Sequence, residues 1–409
     1  MSFCKFFKTD NSIYYKELNT TISGLFSLHS ISICFINLFI IDKYQGKNTF
    51  TCQIFNNVWN IKWFDFKIKE KTFFLINTKA LNLNKKSHLG DFLELWEYSS
   101  SNNTKRKSIF YFPEVGEIWD FNCSNFAKNK ELGTVIICAG FKIFLFNPPL
   151  LIPQFTVLIK GVCYISLINI YQWKMDCNCS TIVTGDIRGN LIIYNLFNNI
   201  SIIRIFHNSN KNVPISIIKI ILMDISAKKV KFVISSGYDG TIKIWDLEQH
   251  KNALVEICFS KRWIIDIQWY SSEIYDSTFL ISFENGFVSF WNILTGTVFN
   301  IKFIHQIAIW KTIQRYQIFM SIGEDSDINI IEINSPFLLD LKHLRFFQSN
   351  KAFGKSFSNA KLGLNCLQSL KRNFFLGAIG ISPSMQKEFL VNLSGNAGIL
   401  IFYKFKINL

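Results

Sequence analysis

The hydrophobic positions of this chain fall into short alternating runs broken by polar turns, and one run sets the pattern. In SSGYDGTIKIWDL, Ser235 to Leu247, an apolar stretch leads to a turn at Tyr238-Asp239-Gly240, and Ile242 and Ile244 then alternate with polar residues up to Trp245-Asp246. Asp and Gly supply the backbone angles of a tight turn, and alternation marks a strand with two distinct faces. The frame recurs in VTGDIRGNLIIYNL, with Asp186, Gly189 and Tyr194-Asn195, and in SFENGFVSFWNI, with Asn285-Gly286 and Trp291-Asn292. Weaker copies end at Phe146, Trp96, Ile331 and Phe402.

The anchors Trp96, Phe146, Tyr194, Trp245, Trp291, Ile331 and Phe402 are separated by 50, 48, 51, 46, 40 and 71 residues. Most of these gaps suit a four-stranded unit of about 40 to 45 residues with loop insertions. A second marker lies upstream, in first strands that end in Trp: VWNIKW at Trp63, INIYQW at Trp173 and IDIQW at Trp269. These three indoles are read as blade core. A small twisted sheet cannot bury both faces alone, so neighbouring units stack radially and close a ring. The expected fold is therefore all-β, a seven-bladed β-propeller occupying the whole chain. Its blades are placed at about 43–98, 108–148, 155–197, 200–248, 252–294, 297–334 and 358–405, with 335–357 as an insertion loop. Residues 1–42 are expected to lend a closing strand to the last blade.

Composition narrows the class of function. The chain has 409 residues, 49% of them hydrophobic and 16% aromatic, enough apolar matter for a continuous core. Abundant Phe, Ile, Asn and Lys read as nucleotide bias, so Asn-x-Ser/Thr matches such as Asn102 to Thr104 carry little weight. The formal charge of +15 is spread in short clusters, including Lys105-Arg106-Lys107 and Lys228-Lys229-x-Lys231. Two readings stand for it: a surface for nucleic acid or an acidic protein, or Lys accumulated on solvated loops. The ten Cys include one close pair, Cys177 and Cys179, without the spacing of a zinc site. The N-terminal MSFCKFFKTDNSIYYKELN lacks a secretory pattern, which points to an intracellular protein. The apolar run Leu25 to Ile41 contains Ser27, His29, Ser30, Ser32 and Asn37 and reads as paired strands instead of a membrane span.

No phosphate loop, His-Glu-x-x-His or Gly-x-Ser-x-Gly is present, and the six His show no metal spacing. The acidic turn Glu324 to Asp327 lacks the length of a calcium loop. No catalytic residue, cofactor, metal or small-molecule substrate is expected. His207, Ser235, Asp239 and Trp245 match the hydrogen-bonded network of WD repeats, a structural role. Trp59, Trp119 and Trp310 occupy equivalent places early in three first strands, and Trp263 follows Lys261 and Arg262 just before that place. Equivalence puts such residues on one rim of the channel, where aromatics and Arg serve as partner anchors; the alternative is that the indoles pack against adjacent blades.

The order FNNVWNIKW, LGDFLELWEY, VGEIWDFNC and LGTVIICAGFKIFLFNPP resembles the WD-repeat subunit of transcription factor IIIC, the RNA polymerase III assembly factor. The matching segments are Phe92 to Trp96, Ile118 to Phe121, Leu132 to Pro148, Ser236 to Leu247 and the final SGNAGILIFYKF, within residues 50 to 405. The chain departs from larger relatives in lacking a long charged N-terminal extension. The resemblance implies a non-catalytic nuclear scaffold, partnered by that factor's large winged-helix subunit on internal promoters of transfer-RNA genes. Lys and Arg would then meet DNA phosphates directly or through the complex. A WD-repeat scaffold of ribosome biogenesis is the other reading, and a propeller hydrolase would need clustered carboxylates or His at the channel mouth.

Overall fold

The computed structural model describes residues 8–9, 49–53, 57–68, 71–79, 91–99, 104–111, 117–124, 134–139, 141–146, 163–166, 172–177, 181–195, 202–207, 213–225, 228–247, 252–259, 262–270, 278–315, 318–324, 328–335, 338–344, 376–381, 388–395 and 399–406. Among them, antiparallel strands group into seven sheets. The innermost strands, from blade 1 to blade 7, are Asn57–Ile68, Asp120–Ser124, Gln172–Cys177, Ile215–Ile225, Ile264–Tyr270, Ile309–Arg315 and Leu376–Ile381. Each packs beside the next, and the seventh returns to the first, so the ring is closed. All seven anchors lie on third strands, opposite Phe74, Val135, Ile182, Val233, Phe279, Phe319 and Asn392 of the second strands.

Radial stacking explains the sequence of the second strands. Thr181–Asp186, Thr278–Phe283 and Ile318–Gly323 are buried at every position, because a blade neighbours them on each face. Outer strands face solvent on one side, and Val255–Cys258 alternates accordingly. The core is a set of wedges between blades: Val183, Leu191 and Ile193 of blade 3 meet Ile215, Val233 and Trp245 of blade 4. Phe232, Ile234 and Ile244 of blade 4 meet Ile267, Phe279 and Trp291 of blade 5 in the same way. Each such side chain contributes about 1.5–3 kcal/mol when fully buried.

The strand frame is offset from the repeat frame read in the sequence. Each sheet includes a fourth, outer strand beyond its anchor, so blade 4 ends at Val255–Cys258 and blade 1 runs on to Thr104–Tyr111. The repeat signal peaks at the third strand that carries the anchor and decays in the outer strand, which in six of the seven sheets is paired on one edge only. Leu338–Leu344, placed in an insertion by sequence, is the outer strand of blade 6. The closing strand of blade 7 is Thr49–Gln53, paired with Ile399–Lys406, not a segment of 1–42; Lys8–Thr9 instead adds to the edge of blade 2. The run Leu25 to Ile41, Cys179 and residues 345–357 lie outside the described residues. No helix among the described residues is long and apolar enough to cross a membrane.

Three turns repeat bond for bond. Gly189, Gly240 and Gly286 have φ of 84°, 76° and 81°. Their amides donate to Asp186, Gly237 and Phe283, and their carbonyls accept from His207, Phe259 and Ile304. A side chain disfavours this backbone by about 1–2 kcal/mol. Gly240→Ala is expected to lose about that much stability in a urea titration, and no loss would show that the turn relaxes.

Candidate functional site

Six of the seven inner strands carry a one-residue bulge against the second strand, at Trp59, Trp173, Ser216, Ile265, Trp310 and Gly377. In blade 2 the amide of Trp119 donates to Cys138 just ahead of Asp120, giving the same place. Trp59, Trp119 and Trp310 are thus structurally equivalent and border one cavity of about 460 Å³ on the channel axis. Trp59 and Trp310 are each 42% exposed. Register also puts Trp173 at this bulge and not at the place of Trp63 and Trp269, a correction to the sequence reading. INIYQW carries its Trp four positions earlier in the blade than VWNIKW does, and local pattern does not distinguish the two. Trp63 is buried against Phe74, and Trp269 packs edge-on against Phe279, both as core.

Trp263 is near the mouth but off the cavity wall, 45% exposed and stacked 4.9 Å from Tyr238, which does line the cavity. Arg262 is exposed and lies 5.9 Å from the ring centre of Phe287. Lys261 lies outside the described residues.

Below the indoles, residues one and three places beyond the bulges of blades 1 to 6 make up most of the channel wall. The first layer includes Asn60, Asp120, Lys174, Asp266 and Lys311, and the second Lys62, Asp176, Lys219 and Gln268. Sequence reasoning missed these residues, although polar-apolar alternation in strands such as NVWNIKWF carried their signal. The three carboxylates are engaged by the neighbouring blade. Asp120 accepts the amide of Met175 at 3.2 Å and Asn60 Nδ2 at 3.1 Å. Asp176 accepts the amide of Ile220 at 2.7 Å and Asn122 Nδ2 at 2.8 Å. Asp266 accepts the amide and hydroxyl of Thr312 at 3.1 and 2.8 Å, and Gln268 Nε2 at 2.9 Å. Buried acceptors with several amide donors tie the ring together.

Two of the lysines reach across to other blades. Lys219 Nζ stands 3.9 Å from Asp266, and Lys311 Nζ reaches past blade 7 to Asn60 Oδ1 of blade 1. Between them, blade 7's inner strand reads LGAIGI, without a polar residue, and lines the cavity with Ile379. Burial and then the ammonium of Lys62 push the Lys311 amine down to about 7. Lys219 goes the other way: burial would lower it, but Asp266, Asp176 and Asp120 together hold it above the usual lysine range. Burial raises Asp176. Among the described residues no group of His, Cys, Asp and Glu is placed to hold a metal ion.

The structural network lies beside this mouth. Trp245 Nε1 donates to Ser235 Oγ at 2.8 Å, and Ser235 Oγ is 2.7 Å from His207 Nδ1. His207 Nε2 meets Thr241 Oγ1 at 2.8 Å, and Thr241 donates to Asp239 at 2.7 Å. Asp239 itself stands 3.9 Å from the imidazole, so Thr241, absent from the sequence reading, joins the two. In the basic cluster of blade 1, Lys107 lies 2.8 Å from Glu97, which also pairs with Lys71. Arg106 stands 3.7 Å from Glu94. Part of that charge is therefore matched within the blade.

The crystal structure of Chaetomium thermophilum Raptor superposes on 88% of this chain with a TM-score of 0.60 and 10% identity. The fold is a WD-type β-propeller. This chain spans 28% of the Raptor chain, and at such identity the likeness concerns the fold alone. In all, 1428 solved chains match, so the propeller by itself does not select a function. No family model and no curated protein matches the sequence.

Proposed function

We propose that this chain is a non-catalytic scaffold whose indole-rimmed channel mouth holds a segment of a partner protein, within a nuclear transcription complex of the transcription factor IIIC kind. One observation carries the scaffold reading: Trp59, Trp119 and Trp310 stand on equivalent bulges around a single cavity. Large aromatics on a rigid ring are what interface anchors require. The carboxylates that a hydrolase would use are occupied by backbone amides of adjacent blades. The finer assignment is supported by the repeat order described above and by the net charge of +15, suited to a complex held on DNA.

The test is co-purification of the full chain from nuclear extract at moderate salt, with Trp119→Ala alongside. A winged-helix transcription factor IIIC subunit and transfer-RNA genes should be recovered; pre-ribosomal particles would replace that assignment with ribosome biogenesis. Trp119→Ala, folded as judged by its melting curve, should bind the partner about 30-fold more weakly, on the order of 2 kcal/mol. Unchanged affinity would defeat the proposal.

A further inference from the structure

We infer that the channel mouth reads a carboxylate: an Asp or Glu side chain of the bound peptide passes the indoles and seats against the ammonium groups of Lys311 and Lys62. This rests on the partner-binding reading above and names the chemistry that the same site selects. Lys311 comes from blade 6 and Lys62 from blade 1, flanking the blade whose inner strand offers only Gly377, Ala378 and Gly380 between its apolar residues. The cavity, lined there by Ile379, and two like charges therefore coincide. An anion placed there offsets the repulsion from Lys62, against which Asp120 and Asp266 already act on Lys311 while each accepts amides of the next blade.

The charge count selects the ligand. With Lys311 protonated, Lys62, Lys174, Lys219 and Lys311 face Asp120, Asp176 and Asp266 across one cavity, an excess of a single positive charge. One carboxylate balances it, whereas a polyphosphate or a nucleic-acid backbone brings more charge than the wall can meet. The cavity of about 460 Å³ holds a few side chains and excludes a duplex. The exposed indoles of Trp59 and Trp310 supply apolar surface for the residues flanking the acid, so the occupant is an acidic peptide with aromatic or aliphatic neighbours.

Binding is then linked to a proton. The groups facing Lys311 are Lys62 on blade 1, Asp120 on blade 2, Lys174 and Asp176 on blade 3, Lys219 on blade 4 and Asp266 on blade 5, with none on the inner strand of blade 7. Burial, and then the balance of these charges, leaves this amine titrating at about 7, and a bound carboxylate favours its charged form. Affinity should rise about tenfold from pH 8 to pH 6, following the protonated fraction.

The experiment is selection of a random ten-residue phage-displayed library on the immobilised full chain at pH 6.5, followed by titration of the enriched peptides. Enriched peptides should pair Asp or Glu with an aromatic residue, and single-stranded DNA or inorganic phosphate should displace them poorly. They should lose about tenfold in affinity on Glu→Gln substitution, and Lys311→Met should abolish the pH dependence. Lys62→Gln gives a second variant; in Lys311→Met, Asn60 Oδ1 keeps the amide of Ile61 as its donor. Peptides that depend on Trp119 but lack an acid, or bind Lys311→Met unchanged, would overturn the carboxylate site and leave the partner-binding reading standing. Absence of any peptide dependent on Trp59, Trp119 or Trp310 would overturn both.

Discussion

Replacing Asp266 with alanine should cost about 3–5 kcal/mol, the range for removing one member of a buried charged network. Asp266 is 7% exposed and sits where blades 4, 5 and 6 meet on the channel wall. Its Oδ1 accepts the amide of Ile267 at 2.9 Å and faces Lys219 of blade 4 at 3.9 Å. Its Oδ2 takes the amide and hydroxyl of Thr312 of blade 6. Truncation leaves those donors without their acceptor and removes the largest charge that holds Lys219 ionised. Asp266→Asn should lose less, because one oxygen remains to accept, although its amide must face donors. Urea titrations of both variants at pH 7 check the order, and a loss below about 1 kcal/mol for Asp266→Ala would show that the inter-blade tie is not what closes the ring here.

That tie was invisible in the repeat pattern, and the reason is physical. The anchors were legible because they repeat at one place on the third strands, where the large side chains of Trp96, Tyr194, Trp245 and Trp291 are buried in apolar clusters. The channel wall is set by a different rule. A bulge residue turns its side chain to the rim, and the alternate positions beyond it point to a shared axis that only ring closure creates. Lys311 and Asn60 are 251 residues apart, and nothing local announces that they meet. The indoles at Trp59, Trp119 and Trp310 were found because each repeats within its blade, whereas Trp173 was assigned to the wrong end of its strand for lack of a marker beside it. Offset blade boundaries have the same origin: outer strands carry alternation on one face only, and that signal is weak where Lys and Asn are abundant throughout.

The hydrogen-bonded network shows how far repeats decay while the fold survives, and it sets the protein's response to acid. Trp245 and Trp291 occupy the same place in blades 4 and 5, opposite Val233 and Phe279. Blade 4 supplies Ser235 two residues beyond Val233 and His207 from the preceding loop. Blade 5 has Ile281 and Phe259 in those two places, and the Trp291 indole nitrogen has no protein partner. Blade 6 keeps His305 bonded to Ser321 at 2.8 Å but has Ile331 for the Trp. Trp245→Phe should therefore lose about 1–2 kcal/mol, while Trp291→Phe, which removes an unsatisfied donor, should be close to neutral.

His207 carries the larger effect. Burial, opposed by Asp239, pushes its imidazole down to about 4, against about 6.5 in the unfolded chain. Between those values the unfolded state takes up a proton that the folded state refuses. Stability is thus complete above about pH 6.5, falls as pH drops through that window, and the loss reaches about 3 kcal/mol near pH 4. Urea titrations at pH 7 and pH 4.5 should show a decrement of about 2.5 kcal/mol in the wild type and a much smaller one in His207→Gln, which keeps a neutral polar group between Ser235 and Thr241. Equal acid sensitivity in both proteins would place the loss elsewhere and show that the His207 imidazole charges without disturbing Trp245.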